Sequence, residues 1–100
     1  MSSEDKNGIE YTEHGGNMYY NQGNAAKYVG MTDTGFRRKR RKVEEESGIV
    51  IPLVILPVSR QTRFIDKRIL DVFRQSVRVG QEERWIEDLR RVVNEVNADR

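Results

Sequence analysis

Apolar residues recur at helical spacing in several segments of the chain, and capping residues or glycines bound these segments. The first such segment is short: Ala25, Tyr28 and Val29 share one face between a capping Asn21 and a terminating Gly30. This spacing predicts a helix of about two turns.

A second helix is predicted to run from Thr34 to Glu46. Thr32 or Thr34 would cap its N-terminus, and Gly48 would end it. Its inner stripe is spaced i, i+4, i+7 and consists of Phe36, Arg40 and Val43. On its outer side, Arg41–Glu45 and Lys42–Glu46 are spaced for i, i+4 ion pairs.

The segment Val50 to Val58 is rich in β-branched residues and is interrupted by proline, which confines such a strand to a sheet edge. Residues 58–61 are predicted to form a loop, and Thr62 to Phe64 a return strand. Together they predict a short hairpin, or wing.

Two further helices are predicted in the last third of the chain. Asp66 caps the third, which extends to about Val79 and is closed by Gly80. The fourth spans about Gln81 to Asn97, with an apolar stripe consisting of Trp85, Leu89, Val92 and Val96. This stripe predicts either two-fold pairing with a second subunit or packing against the third helix, and the pattern leaves both open.

Residues 1–18 contain three glycines, scattered acids and no regular apolar period, so an irregular, disordered tail is predicted there. The expected fold class is therefore mainly α with a small β-hairpin. A winged helix-turn-helix would occupy residues 19–80, and a C-terminal amphipathic helix, as a dimerisation element, residues 81–100.

The net charge of +2 is too small to indicate a partner, but the positions of the charges along the chain are informative. Residues 37–42 are all cationic, and residues 60–80 are basic again, which indicates one polyanion-facing surface built from two elements. A charge run alone is also typical of a solvated helix face. The candidate DNA-binding residues are Thr32, Thr34, Arg37, Arg38, Arg41, Lys42, Arg60 and Arg63.

Residues 20–73 resemble the winged-helix DNA-binding domain shared by MerR-type regulators and excisionase (AlpA-like) proteins. The segment 24–32, with its Ala-Ala pair, hydrophobic residue, glycine and capping threonine, resembles the first-helix signature. Phe36-Arg37-Arg38 is similar to the start of the recognition helix, although Lys39 stands where an aromatic residue is common. The resemblance also includes Arg63-Phe64 with Ile69-Leu70 and Phe73, which are similar to the wing exit and the following helix.

The resemblance implies that Arg37, Arg38 and Arg41 enter the major groove of DNA and that Arg60 and Arg63 act at the wing. It also favours dimerisation, because the helix after the winged domain often pairs in MerR-type proteins. The expected partners are double-stranded DNA and a second copy of the chain.

Three functions remain open at this point. The first is sequence-specific DNA binding as a small transcription regulator. The second is an excisionase-like accessory factor that bends DNA for a recombinase. The third is a protein-interaction adaptor whose basic helix binds an acidic partner.

Other function classes find little support. The chain has no cysteine, and its one histidine, His14, lies in the predicted tail, so no catalytic residue, metal site or cofactor is expected. The longest apolar run, Ile49 to Val58, is shorter than the roughly 20 residues that a membrane span needs. We therefore expect a soluble cytoplasmic protein, associated with the nucleoid in a prokaryote.

Overall fold

The described part of the chain has three strands, then two helices, two further strands and two further helices. The computed structural model describes residues 3–79 and 82–99, with side chains at all of these except 78, 79, 82 and 83. Within these residues there are five strands and four helices: β1 (Ser3–Glu4), β2 (Glu10–His14), β3 (Asn17–Asn21), α1 (Gln22–Val29), α2 (Asp33–Ser47), β4 (Val54–Leu56), β5 (Ser59–Asp66), α3 (Lys67–Val79) and α4 (Glu82–Ala98).

All the described strands join one antiparallel sheet in the order β1-β2-β3-β5-β4. The central pairing places Tyr20 of β3 opposite Ile65 of β5. It joins the N-terminal strands to the later hairpin, although α1 and α2 lie between them in the chain.

One hydrophobic core connects the sheet with the four helices. Its largest fully buried side chains are Tyr20, Phe36, Phe73, Ile65, Ile69, Leu70 and Leu89. The ring of Phe73 packs edge-to-face against the rings of Phe36 and Trp85, with distances between ring centroids of 5.5 Å and 5.3 Å. Phe73 on α3 thus joins α2 to α4.

The expected fold class, mainly α with a small hairpin, is wrong. The described residues form an α+β fold with a five-stranded antiparallel sheet. The predicted hairpin is present as β4 and β5, but it is one end of this larger sheet. The physical reason is that the return strand continues to Asp66, so its second edge pairs with β3.

The expectation of an irregular tail over residues 1–18 is also wrong for the part that the structure describes. β2 and β3 form a hairpin in which His14 pairs with Asn17 across Gly15 and Gly16, whose φ values are 59° and 83°. Two glycines with positive φ are typical of a two-residue hairpin turn. The sequence contains this signal, and the paired glycines mark a turn and not disorder.

Asp5 fixes this N-terminal part to the core. Its carboxylate accepts hydrogen bonds from the backbone N–H groups of Asn7 and Ile9, both at 2.9 Å, and from the Tyr20 hydroxyl at 2.8 Å. These hydrogen bonds outweigh partial burial, which acts in the opposite direction, and lower the pKa of Asp5. The segment before β2 is therefore held to a residue at the centre of the fold.

The predicted boundaries of the first two helices are confirmed. The Asn21 side chain accepts from the N–H of Asn24 at 2.8 Å, and α1 ends at Gly30, where φ is 88°. Thr32 caps α2 by accepting from the N–H of Gly35 at 3.0 Å, and Gly48 ends it with a φ of 75°.

The later elements agree with their predictions except in the hairpin. Asp66 directly precedes α3 and accepts from the N–H of Arg68 at 2.8 Å, while α4 lies where the fourth helix was predicted. The turn of the hairpin is tighter than predicted, because Leu56 pairs with Ser59. The predicted end of the third helix at Gly80 lies outside the described residues.

Candidate nucleic-acid interface

The inner stripe of α2 determines which of its side chains face outwards. Phe36 is 1% exposed and Val43 is 5% exposed, so this side of the helix lies on the core. At 100° per residue, the opposite arc of about 140° carries Thr34, Arg37, Arg38, Arg41 and Lys42, together with one acid, Glu45. All five of these candidate residues are exposed.

We call Arg37, Arg38, Arg41 and Lys42 the cationic face of α2. Arg37 lies 3.6 Å from the Asp33 carboxylate, but both side chains are more than half exposed, so this ion pair is weak. The predicted Arg41–Glu45 and Lys42–Glu46 ion pairs are wrong, since neither is formed among the described residues. The face therefore keeps most of its positive charge.

The order of charges along α2 does not serve the stability of the helix. A helix dipole favours cations in the last turn, yet that turn contains no basic residue and includes three consecutive glutamates, residues 44–46. Glu44 has a separate use, because it accepts from the N–H of Ile51 at 3.1 Å and holds the loop after the helix. The cationic face thus has no explanation in the energetics of its own helix.

Two of the six consecutive cations point inwards. Lys39 donates to the Ser76 hydroxyl at 2.7 Å, and its Nζ lies 5.0 Å from the centre of the Trp85 ring. Arg40 lies 5.1 Å from the Phe36 ring, and its buried Nε has no hydrogen-bond partner among the described residues. Burial lowers the pKa of the Arg40 guanidinium. The basic run thus divides into four outward and two inward side chains.

Thr32 has a structural role, since its hydroxyl oxygen forms the N-cap described above. This fixes the first turn of α2, whose free N–H groups and positive dipole end lie beside Thr34. Both candidate threonines remain exposed.

The hairpin carries the two remaining candidate residues, Arg60 and Arg63, and both are exposed on β5. Neither forms an ion pair within the part of the chain that the structure describes. The sequence contains no acidic residue between Ser47 and Asp66, so this hairpin is purely cationic. It forms a second positive element separate from α2.

The four candidate dimerisation residues do not form a free surface. Leu89, Val92 and Val96 are 0%, 9% and 4% exposed within a single chain, and Trp85 packs against the same core. Their assignment to a dimer contact is therefore corrected to internal packing, which was the alternative interpretation of the stripe. The physical reason is that α3 supplies the apolar face that α4 needs.

Sequence reasoning missed a groove between α2 and α4, which has a volume of about 410 Å³. It is lined by Arg38, Lys39, Lys42, Val43, Glu46, Ser76, Trp85 and Ile86. No pattern along the chain signals it, because it depends on the placement of two helices that are far apart in sequence.

Other kinds of site find no support among the described residues. They contain no cluster of three or more histidine, cysteine or acidic side chains suited to a metal ion. None of their helices is long and apolar enough to cross a membrane. Comparison with known proteins gave no match to a family model, to a curated protein or to a solved structure.

Proposed function

We propose that this chain binds double-stranded DNA through the cationic face of α2, as a small sequence-specific transcription regulator. The observation that carries the proposal is the separation of charge on this helix. Four cations point away from the core, three of them without an ion-pair partner among the described residues, in an order that opposes the helix dipole. Such a face suits a dense row of phosphates.

The chemistry of each group suggests its role. The arginines of the cationic face can donate two parallel hydrogen bonds to guanine O6 and N7 in the major groove. The first N–H groups of α2, next to Thr34, can bind a phosphate and fix the position of the helix. Arg60 and Arg63 would contact the backbone or minor groove.

A titration of fluorescently labelled random duplex DNA at several salt concentrations tests this proposal, with binding followed by anisotropy. Five or six phosphate contacts would give a slope of log affinity against log salt near −5. The variant Arg37→Ala/Arg38→Ala/Arg41→Ala should flatten the slope by about 3 and weaken binding about 100-fold.

The control removes two charges from α4 with Arg84→Ala/Arg91→Ala and keeps Arg90, which donates to the carbonyl of Ser47 at the end of α2 at 3.4 Å. It should change the slope much less, because these arginines are on another helix. Arg60→Ala/Arg63→Ala should flatten the slope by up to about 2. The proposal fails if the wild type does not bind DNA at low salt, or if the α2 variant behaves like the α4 control.

The groove between α2 and α4 supports a second candidate function, the binding of an acidic segment of a partner protein. Its lining includes the half-buried Trp85 and Ile86. The exposed Arg38 and Lys42 supply positive charge, against one exposed acid, Glu46. An acidic amphipathic peptide that shifts Trp85 fluorescence in the absence of DNA would favour this function. A wild type that binds such peptides but not DNA would replace the first proposal with the second.

A further inference from the structure

Exposed apolar side chains are concentrated in one short segment. Among the described residues, the large apolar side chains with the highest exposure are Val50 at 72%, Ile55 at 54%, Val58 at 53%, Val77 at 45% and Leu53 at 39%. All except Val77 lie within residues 50–58. A clustered apolar surface of this kind is typical of a contact site.

We call Ile55, Pro57 and Val58 the apolar tip of the hairpin. The pairing of Leu56 with Ser59 leaves a turn of only two residues, and the register of β4 against β5 shifts between Val54 and Leu56, so that Ile55 lies at this irregularity. Behind the turn, Leu56 is buried and the hydroxyl groups of Ser59 and Thr62 are hydrogen-bonded at 2.9 Å. The apolar tip therefore stands on a braced hairpin.

The surroundings of the tip favour nucleic acid over protein as its partner. Arg60 and Arg63 lie on the same hairpin, which has no acidic residue to neutralise them. β4 is the edge strand of the sheet, but Pro52 and Pro57 flank it and have no N–H to donate to an added strand. Strand pairing with a second copy is thus disfavoured, whereas a nucleic-acid groove offers phosphate walls and an apolar stack of bases.

We propose that the apolar tip inserts into the minor groove as a wedge and kinks the DNA that α2 holds. Isoleucine and proline are among the side chains that minor-groove proteins insert between base steps, and the unstacking produces a bend. Arg60 and Arg63 hold the flanking phosphates on either side. This inference rests on the proposed DNA binding and adds a mechanical role to it.

Ile55 is the best position for the test. Val58 also borders a hollow of about 160 Å³ beside Asn24 and Thr62, so its substitution can disturb the hairpin itself. Ile55→Ser removes the apolar wedge, whereas Ile55→Leu keeps it. Val50→Ser is the matched control, because Val50 is more exposed than Ile55 but precedes the hairpin.

The experiment measures ligase-catalysed ring closure of a random duplex of about 120 bp, which is shorter than the persistence length of DNA. Affinity for the same duplex is measured in parallel by anisotropy. The wild type should accelerate ring closure about tenfold. Ile55→Ser should abolish most of this acceleration with less than about a threefold loss of affinity, while Ile55→Leu and Val50→Ser retain it.

A second readout follows base unstacking directly, because 2-aminopurine in the duplex fluoresces more strongly when a neighbouring base step opens. This signal should rise with the wild type and not with Ile55→Ser. A wild type that binds the duplex without affecting ring closure or fluorescence would overturn the wedge and leave the proposed function intact. A wild type that does not bind the duplex would overturn both.

The remaining outcome assigns the tip to protein contact. If light scattering shows a concentration-dependent dimer that Ile55→Ser dissociates, while ring closure is the same for both proteins, the tip joins two copies and the wedge is wrong.

Discussion

The helices α2 and α4 carry similar amphipathic patterns, but the structure gives their polar faces different properties. On α4, charges of both signs alternate, and Arg91 lies 3.5 Å from Asp88 and 3.6 Å from Glu95. On α2, apart from Asp33 in the first turn, the cations form one block and the acids another, and most of the cations have no such neighbour. Each helix nevertheless places an apolar stripe on the same core.

The two helices show that an apolar stripe and a block of like charge carry different information about a helix. An apolar stripe shows that a helix needs a partner surface, which here lies within the same chain. A block of like charge costs stability through repulsion, so the stability of the helix does not account for it. The proposed contact surface therefore rests on charge separation and not on the apolar stripe.

Leu89→Ala, which truncates the apolar stripe of α4, should have the largest effect on the free energy of unfolding. Leu89 is fully buried, so the truncation leaves a cavity and should lower the free energy of unfolding by about 3 kcal/mol. Denaturant unfolding followed by circular dichroism measures this change, with the exposed Asn94→Ala as a control on the same helix. A loss below about 1 kcal/mol would mean that the side chain is not packed inside a single chain.

Thr32→Ala should have an intermediate effect, because it removes the N-cap of α2. We expect the free energy of unfolding to fall by about 1 kcal/mol, and Thr32→Ser should restore most of it. The same two variants in the anisotropy titration would sharpen the comparison. If Thr32→Ala left stability unchanged and weakened DNA binding alone, Thr32 would be a phosphate contact and not a cap.

Lys39→Met should have the smallest effect and should distinguish the inward cations from the cationic face. It removes the Lys39 contacts with Ser76 and Trp85, so stability should change by no more than about 1 kcal/mol and the emission of Trp85 should shift. The salt slope of DNA binding should stay as in the wild type, whereas Arg38→Ala should flatten it by about 1. Equal slopes for both variants would remove the distinction between the two sides of α2.

The helices could be predicted from the sequence because their signals are local. Caps such as Asn21 and Thr32, the glycines that follow each of the first two helices, and the 3.6-residue spacing all act within a few residues. The exposure of the cationic face also followed from spacing, because residues on the side of the helix opposite Phe36 point away from the core. The N-terminal hairpin also has a local signal, the Gly15-Gly16 turn, which the prediction of a disordered tail does not take into account.

The sheet and the use of the α4 stripe could not be predicted in the same way. The pairing of β3 with β5 joins residues more than forty positions apart, such as Tyr20 with Ile65. Neither strand has a local sequence pattern that identifies the other as its pairing partner. Likewise, the stripe of Leu89 is equally suited to another chain or to its own α3. The sequence by itself determined the four helices, the ends of the first two and the distribution of charge, because these depend on neighbours in the chain. Only the tertiary structure decided which apolar faces meet, because burial depends on all the surfaces present at once.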